Sequence, residues 1–285
     1  MGIVTVTIRS LSFVSNEVAN HYTQGSLGDR IEAGLKQTVA DNSAVTIDDL
    51  APVDEFHIGG RSASVHLFDQ LNLSPEDKVL DVGAGIGGTA RFVAQTYGSD
   101  VTGIDLTPEF CEVADRLSNL VGLGDKVNVI EGSALDMPFE DDSFSVAYMM
   151  HVGMNIEDKT ALYKEIRRVL KPGGILAVYD VLQGPNFEQI TFPVPWATVP
   201  ETSFLATADE MQKHLRNAGY SIDSVADRTE FAKEFFAAII PPPGGTPPPL
   251  GIHLIIGNEA PTKLKNMVVN INAGLCGPWE IIARK

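Results

Sequence analysis

Short apolar runs alternate with longer amphipathic runs through the middle of the chain. The short runs have the length of buried strands, while apolar residues at every third or fourth position of the longer runs indicate helices. Strands are predicted at residues 79–82, 100–104, 127–131, 145–149, 175–180, 221–227 and 279–283. Helices are predicted at residues 62–71, 89–97, 108–121, 159–170, 208–218, 231–240 and 262–275. This alternation indicates an α/β fold with a doubly wound sheet.

The two ends of the chain are less regular. Residues 16–23 and 27–39 have the periodicity of two short helices after a loosely held tail, and residues 48–60 are expected to form a connection. Near the other end, residues 241–249 contain two runs of three prolines. Three consecutive prolines cannot continue a helix or a central strand, so this segment is expected to be a loop with polyproline character.

Composition narrows the class of protein. The 285 residues carry a net charge of −16, from 21 Lys and Arg against 37 Asp and Glu, which argues against a nucleic acid or an anionic membrane as partner. The two cysteines, Cys111 and Cys276, are far apart and lack metal-ligand spacing, so neither a disulfide framework nor a metal site is expected. No apolar run reaches membrane-spanning length, and the first ten residues lack a signal-peptide pattern. A cytoplasmic protein is therefore expected.

A glycine-rich turn follows the first predicted strand. Residues 79–88 read V-L-D-V-G-A-G-I-G-G, which places Asp81 at the strand end. Three glycines follow at alternate positions, Gly83, Gly85 and Gly87. Glycine allows positive φ and lets a ligand approach the backbone without a Cβ in the way. The stretch is therefore predicted to be a strand, a ligand-binding turn and a helix N-terminus.

Two classes of ligand use such a turn. The spacing fits the G-x-G-x-x-G fingerprint of dinucleotide binding, which alone is a weak signal. It also fits the pattern D-x-G-x-G-x-G of the S-adenosylmethionine (SAM) loop. Asp81 favours the second class, because a carboxylate would repel a pyrophosphate at the helix N-terminus but suits a cofactor with an ammonium and a sulfonium. Asp105, 24 residues further on at the end of the second strand, can bind ribose hydroxyls of either ligand.

Two downstream motifs favour SAM. Residues 132–139 read G-S-A-L-D-M-P-F, and residues 171–174 read K-P-G-G. With the glycine turn and Asp105, these motifs make the chain resemble the class I SAM-dependent methyltransferases. The resemblance implies a Rossmann-like sheet of seven strands, the last one antiparallel, with Leu106 beside the cofactor.

One position departs from the family pattern. Ser133 stands where the family usually has an Asp that accepts a hydrogen bond from the adenine amino group. A hydroxyl accepts more weakly than a carboxylate, although the backbone N–H of Ala134 can still contact the ring. Somewhat loose cofactor binding is therefore expected.

Within the superfamily, the chain is most similar to small-molecule N-methyltransferases of the sarcosine/dimethylglycine and phosphoethanolamine kind. The similarity rests on Tyr22, on residues 56–60 (F-H-I-G-G) and on the loop after the fourth strand. It implies an N-terminal helical lid whose Tyr22 faces the reaction centre. It also implies that Phe56 and His57 contact the methionine end of SAM, as does Met150.

The loop after the fourth strand exchanges two side chains relative to these relatives. They carry an acid and, four residues later, a His, whereas this chain has His151 and Asn155. A neutral imidazole can take a proton near pH 7, whereas Asn can only orient a substrate. His151 is thus the candidate base. Asp180, at the end of the fifth strand, is a candidate for positioning a substrate cation or hydroxyl, with a buried structural carboxylate as the alternative.

The resemblance predicts three parts and one activity. Residues 1–60 would be the tail and helical lid, 61–228 the SAM-binding core, and 229–285 a substrate-cap insertion with the final strand. The expected activity is methyl transfer from SAM to a small-molecule acceptor, an amine nitrogen by preference. The alternatives are O- or C-methylation of a natural product, sterol or quinone, a SAM binder or cyclase without methyl transfer, and an NAD enzyme.

Overall fold

The computed structural model describes residues 23, 25–40, 43–239, 247–257 and 259–285. Its helices in chain order are α1 (Leu27–Thr38), α2 (Ile47–Asp54), α3 (Gly60–Phe68), α4 (Gly88–Tyr97), α5 (Pro108–Leu120), α6 (Lys159–Val169), α7 (Ala208–Asn217), α8 (Thr229–Ile239), α9 (His253–Ile256) and α10 (Ala260–Asn272). Its strands are β1 (Lys78–Val82), β2 (Asp100–Asp105), β3 (Val127–Glu131), β4 (Phe144–Met150), β5 (Leu170–Gln183), β6 (Ser221–Asp227) and β7 (Cys276–Arg284). A 3₁₀ turn at Gly153–Asn155 follows β4.

The strands form one sheet in the order β3-β2-β1-β4-β5-β7-β6. β7 lies antiparallel between β5 and β6, and the pairings among β1 to β5 are parallel. The expected seven-stranded sheet with a reversed last strand is confirmed. The strand order changes direction between β1 and β4, the point at which open α/β sheets bind ligands.

Apolar side chains cover both faces of the sheet. Leu80 and Val82 of β1 pack in one cluster with α6 and α7, whereas Val79 packs in another with α3 and α4. Neighbouring residues of a strand point to opposite faces, so a strand buried on both sides is apolar at nearly every position. Both faces are thus covered by helices, which leaves the strand ends free to build a site.

The N-terminal helices pack against the C-terminal part of the chain. Leu27 and Ile31 of α1 share a buried cluster with Phe110 of α5 and with Leu250 and Ile255. α1 and α9 therefore lie near the start of α5, which follows the carboxyl end of β2. The division into parts at residues 60 and 228 stays a prediction.

Residues 48–60 are not only a connection, as the sequence had suggested, because α2 occupies most of the first half. A capping box begins this helix: Asp49 N–H donates to Thr46 Oγ1, and Thr46 N–H donates to Asp49 Oδ2. Leu50 and Val53 are fully buried against α1. The sequence analysis missed this helix of eight residues, although the capping box of Thr46 and Asp49 marks its start.

Other differences concern lengths and coverage. β5 is longer than predicted, since it begins at Leu170 and runs through the K-P-G-G motif. Residues 16–22 of the first predicted helix and 241–246 of the proline-rich loop lie outside the described residues. Within the described part of the chain, no helix is both long and apolar enough to cross a membrane.

Candidate functional site

A cavity opens at the carboxyl ends of β1, β2 and β4. It brings together most of the residues that the sequence singled out: Phe56, His57, Asp81, Gly83, Gly85, Asp105, Leu106, Ser133, Ala134, Met150, His151 and Asn155. These residues come from five separate segments of the chain. Parallel strands bring their carboxyl ends to one edge, which explains why strand-end residues meet here.

The glycine turn forms the floor of the cavity. Gly83 and Gly85 both have positive φ, 73° and 54°. A Cβ at Gly83 would lie 2.4 Å from Val152 Cγ2, whereas a Cβ at Gly85 would meet nothing within 4 Å. Gly83 therefore permits close packing of the loop after β4, and Gly85 leaves open space where a ligand can approach the backbone.

Gly87, the third glycine of the predicted cofactor turn, lies at the start of α4. It does not line the cavity but caps α4 with φ 76°, and a Cβ there would lie 3.1 Å from Ala114 Cβ. The third glycine is needed for the turn into the helix and for packing against α5. The sequence pattern alone could not distinguish this role from ligand contact.

Asp105 is held rigidly at the end of β2. Its Oδ2 accepts a hydrogen bond from Gly85 N–H at 2.8 Å, and its Oδ1 accepts one from Thr107 N–H at 2.9 Å. Burial raises the pKa of this carboxyl, although both N–H donors oppose the rise. The carboxylate retains further acceptor capacity toward the cavity, since each oxygen has two lone pairs.

Asp81 is the least satisfied polar group of the cavity wall. The residue is 3% exposed, and its Oδ2 makes no hydrogen bond within the described structure. Burial raises the pKa of Asp81 to about 7; the nearby hydroxyl of Tyr148 opposes this rise, and the charge of Asp105 adds to it. A buried carboxylate without a partner is costly, and a bound cation would supply the missing contact.

The loop after β3 offers a weaker set of acceptors. Ser133 Oγ accepts a hydrogen bond from Leu135 N–H at 3.2 Å, which fixes its orientation on the cavity wall. Ser133 and Asp136 also form an isolated antiparallel bridge that tightens the turn. Ser133 and Ala134 are therefore well placed for a neutral polar ring.

His57 is neutral and engaged inside the protein. Its Nε2 lies 3.1 Å from Gly60 O and 3.1 Å from Ser64 Oγ. Ser64 Oγ in turn donates to Glu55 Oε2 at 3.0 Å. Burial lowers the pKa of His57 to about 4, so the ring carries no charge at neutral pH.

His151 lines the cavity but has no free ring nitrogen. Ile58 N–H donates to its Nε2 at 3.2 Å, and its Nδ1 lies 3.1 Å from Tyr179 O. Burial, and to a smaller extent the nearby His57, lowers the pKa of His151 to about 3. In this arrangement the ring cannot accept a substrate proton near neutral pH. The geometry thus does not support the general base that the sequence suggested.

The remaining candidates divide between wall and interior. Asn155 lies on the wall, and its Nδ2 donates to Trp196 O at 2.8 Å. Asp180 does not line the cavity; it is 1% exposed beneath the 3₁₀ turn, where a Cβ on Gly153 would lie 2.3 Å from its Oδ2. The structural alternative for Asp180 therefore fits better than substrate contact. Tyr22 lies outside the described residues.

Sequence reasoning missed several wall residues that come from helical segments, among them Asp54 and Ile255. Asp54, at the end of α2, is buried in an ion pair with Arg91 of α4, whose Nε donates to Asp54 Oδ2 at 3.2 Å. Ile255, from α9, reaches the cavity across the cluster that it shares with α1. An acidic residue at a helix end and an isoleucine carry no local signal for such a role. Among the described residues, no cluster of His, Cys, Asp or Glu could hold a metal ion.

Comparison with known proteins identifies the architecture. Residues 80–178 match the model of the methyltransferase domain. A sterol 24-C-methyltransferase of Gibberella zeae is 38% identical over 117 residues, 41% of this chain and 31% of that protein. A glycine/sarcosine/dimethylglycine N-methyltransferase of Actinopolyspora halophila is 31% identical over 166 residues, 58% of this chain and 27% of that protein. The chain thus spans about a third of the length of these curated relatives.

Solved structures agree over nearly the whole chain. The geranyl diphosphate C-methyltransferase of Streptomyces coelicolor, solved with S-adenosyl-L-homocysteine, superposes with a TM-score of 0.67 at 18% identity. The superposition covers 95% of this chain and 97% of that one. At this identity the similarity shows the fold. The chain therefore has the fold of the SAM-dependent methyltransferases and a matching methyltransferase domain over residues 80–178.

Proposed function

We propose that this chain transfers a methyl group from SAM to a small-molecule acceptor, with an amine nitrogen as the preferred acceptor atom. The observation that carries the proposal is the buried oxygen of Asp81, which lies beside the glycine turn and makes no hydrogen bond of regular geometry in the described structure, with the Tyr148 hydroxyl nearby. SAM carries an ammonium group that would satisfy it. A pyrophosphate, as in NAD, would instead be repelled.

The other residues of the wall fit the remaining parts of the cofactor. Asp105 would accept hydrogen bonds from the ribose hydroxyls, and Gly85 leaves room for the cofactor above the turn. Ser133 and the backbone of Ala134 would contact the adenine ring, with Leu106 on its apolar face. Phe56, His57 and Met150 would line the methionine end. Tyr22 remains a predicted contact from the N-terminal lid.

The chemistry asks little of the protein beyond alignment. SAM supplies an electrophilic methyl group with a neutral thioether as leaving group. The protein would align acceptor and methyl and exclude water, and such alignment corresponds to effective molarities of roughly 10⁵ M or more. The wall formed by Phe56, Val152 and Ile255 is suited to the exclusion of water.

The choice of nitrogen rests on the two histidines of the wall. The burial of His57 and His151 lowers their pKa values to about 4 and about 3, so neither can take a proton near neutral pH. An amine brings its own lone pair once it is unprotonated. A hydroxyl acceptor would need a base that neither ring provides. The similarity to an N-methyltransferase is consistent with this preference.

Carbon methylation is the second candidate, and it is favoured by the apolar part of the cavity wall. Phe56, Ile86, Phe110 and Ile255 line the cavity. Such a wall suits an isoprenoid or sterol chain. The sterol 24-C-methyltransferase among the relatives supports this alternative.

Calorimetric titration of SAM tests the cofactor assignment. Asp105→Ala should weaken binding about 10- to 150-fold, the worth of about 1.5–3 kcal/mol for hydrogen bonds to a charged group. Asp100→Ala is the matched control, because Asp100 begins the same strand and pairs with Lys126 at the exposed opposite end. Equal affinity of the Asp105 variant and the control would contradict the assignment.

Turnover identifies the acceptor. Formation of S-adenosyl-L-homocysteine should be measured over a panel of amines, phenols and isoprenoids. Turnover with amines supports the first candidate, and turnover with isoprenoids alone supports the second. Tight SAM binding without any turnover would instead indicate a binder or cyclase with the methyltransferase fold.

A further inference from the structure

Two hydrogen bonds join Ile58 to the end of β4 and to β5, and a third joins those two strands to each other. Ile58 N–H donates to His151 Nε2 at 3.2 Å, and Tyr179 Oη donates to Ile58 O at 3.0 Å. His151 Nδ1 completes the ring of contacts at 3.1 Å from Tyr179 O. We call Ile58, His151 and Tyr179 the Ile58 clasp. It ties the segment between α2 and α3 to two neighbouring strands.

The partners of the clasp fix the tautomer of His151. A backbone N–H can only donate, so Nε2 must present a lone pair to Ile58. A backbone carbonyl can only accept, so the proton lies on Nδ1 and is donated to Tyr179 O. The ring is therefore a neutral imidazole with both nitrogens in use. Its face lies against Tyr179, with ring centroids 5.1 Å apart, and its ring centroid is 6.2 Å from that of His57 in an edge-on arrangement.

The backbone at His151 is shaped for this contact. Its φ is 57°, in the left-handed region that non-glycine residues rarely adopt. The N–H of His151 donates to the same Tyr179 carbonyl at 2.8 Å. Two bonds to one carbonyl thus hold a conformation that is unfavourable by itself.

The clasp fixes one side of the cavity wall. Phe56 and His57 immediately precede Ile58 and line the cavity, while the buried ion pair of Asp54 with Arg91 holds the other end of the segment. The wall segment 54–58 is thus anchored at both ends. Loss of either anchor removes a backbone restraint on Phe56 and His57, while the His57 ring keeps its contacts with Gly60 and Ser64.

We propose that His151 is a positioning residue, which acts through Ile58 to hold Phe56 and His57 against the methionine end of the cofactor. This inference rests on the proposed function, since it assigns the wall to SAM. In this role His151 is not a general base but a neutral side chain that links β4 and β5 to the wall segment through Ile58.

Two substitutions at position 151 separate the bond to Ile58 from the rest of the side chain. In His151→Asn, an amide N–H₂ can replace Nδ1–H and the left-handed backbone is tolerated, but no acceptor reaches Ile58. In His151→Gln, the longer side chain can carry an acceptor to Ile58. Tyr179→Phe is an independent variant that removes the hydroxyl bond to Ile58 and keeps the carbonyl for His151.

The first readout is hydrogen exchange at the Ile58 amide, which needs neither cofactor nor activity. Exchange should be about tenfold faster in His151→Asn and should return toward the wild-type rate in His151→Gln, as expected for one lost and regained hydrogen bond. The second readout is steady-state kinetics. The KM for SAM should rise about 3- to 10-fold in His151→Asn and in Tyr179→Phe, with kcat changed far less.

Two results would overturn the inference. One is an unchanged exchange rate of Ile58 in His151→Asn. The other is a kcat lowered by about 100-fold or more at unchanged KM for SAM, with loss of the acid limb of the pH profile, as for a general base. If the wild type fails to bind SAM, the proposed function fails, while Ile58 exchange still decides the clasp. If His151→Asn does not fold, Ile58 exchange and the KM in Tyr179→Phe decide it.

Discussion

Two parts of the carboxyl edge of the sheet, one at β1 and β2 and the other at β4 and β5, use their polar residues in opposite ways. At the ends of β1 and β2, Asp81 keeps an oxygen without a hydrogen bond on the cavity wall, and Asp105 is held by Gly85 and Thr107. At the ends of β4 and β5, both ring nitrogens of His151 are bonded within the protein. Strand-end position alone therefore does not identify a ligand contact. The two parts differ in whether a side chain keeps a hydrogen-bonding atom that the protein itself does not use.

Asp180 makes the comparison sharper. Like Asp81 it lies in a strand of the core, is almost fully buried and has one oxygen without a hydrogen bond. Burial raises the pKa of each carboxyl to about 7. Only Asp81 lines the cavity. The two residues are thus a natural pair in which one carboxylate can meet a ligand and the other cannot.

The largest effect is expected on the stability of the cofactor-free protein. Below about pH 3, Asp81 is protonated in both the folded and the unfolded state and contributes no pH dependence. As pH rises from about 3 to 7, the unfolded state loses this proton first, so the folded state becomes less stable. Asp81→Asn removes this penalty, and its free energy of unfolding at pH 8 should exceed that of the wild type by up to about 4 kcal/mol.

Urea unfolding at pH 4 and pH 8 measures this change. The difference between Asp81→Asn and the wild type should shrink to near zero at pH 4. A difference of equal size at both pH values would show that the gain does not come from titration of Asp81.

The next effect is on SAM affinity, which should distinguish Asp81 from Asp180. Asp81→Asn should weaken SAM binding by about 1.5–3 kcal/mol, because the ammonium loses a charged partner. Asp180→Asn should leave the affinity nearly unchanged, because Asp180 lies beneath the turn and off the cavity wall. Calorimetry on both variants gives the comparison directly. Similar losses of SAM affinity in both variants would contradict the difference between the two parts of the carboxyl edge.

The smallest effect concerns Asn155, in the 3₁₀ turn after β4. Its Nδ2 donates to Trp196 O, so Asn155→Ala should lower the free energy of unfolding by about 1 kcal/mol, as for one hydrogen bond. SAM affinity should fall by less than in Asp81→Asn. Thermal unfolding and calorimetry of the same preparation check both statements. A large loss of affinity with unchanged stability would assign Asn155 to the ligand instead.

The sequence by itself determined the order of the strands and of the helices other than α2 and α9, and it located the glycine turn at the edge where the cavity opens. Period-two and period-3.6 patterns are local, and they predicted the five parallel strands within a few residues except for the length of β5. The glycine turn with Asp81 and Asp105 could also be found, because parallel strands must bring their carboxyl ends to one edge. The family resemblance supplied the reversed last strand, which the sheet confirms.

Only the tertiary structure decided what the polar residues near that edge do. Ile58, whose backbone N–H donates to His151, lies 93 residues from it in the chain, and Arg91 lies 37 residues from Asp54, with which it pairs. Ile255 reaches the wall from the far end of the chain. Packing sets these partners, and no local pattern records them. The histidine that the sequence offered as a base is therefore a neutral bridge, because its hydrogen-bonding capacity is used before a substrate arrives.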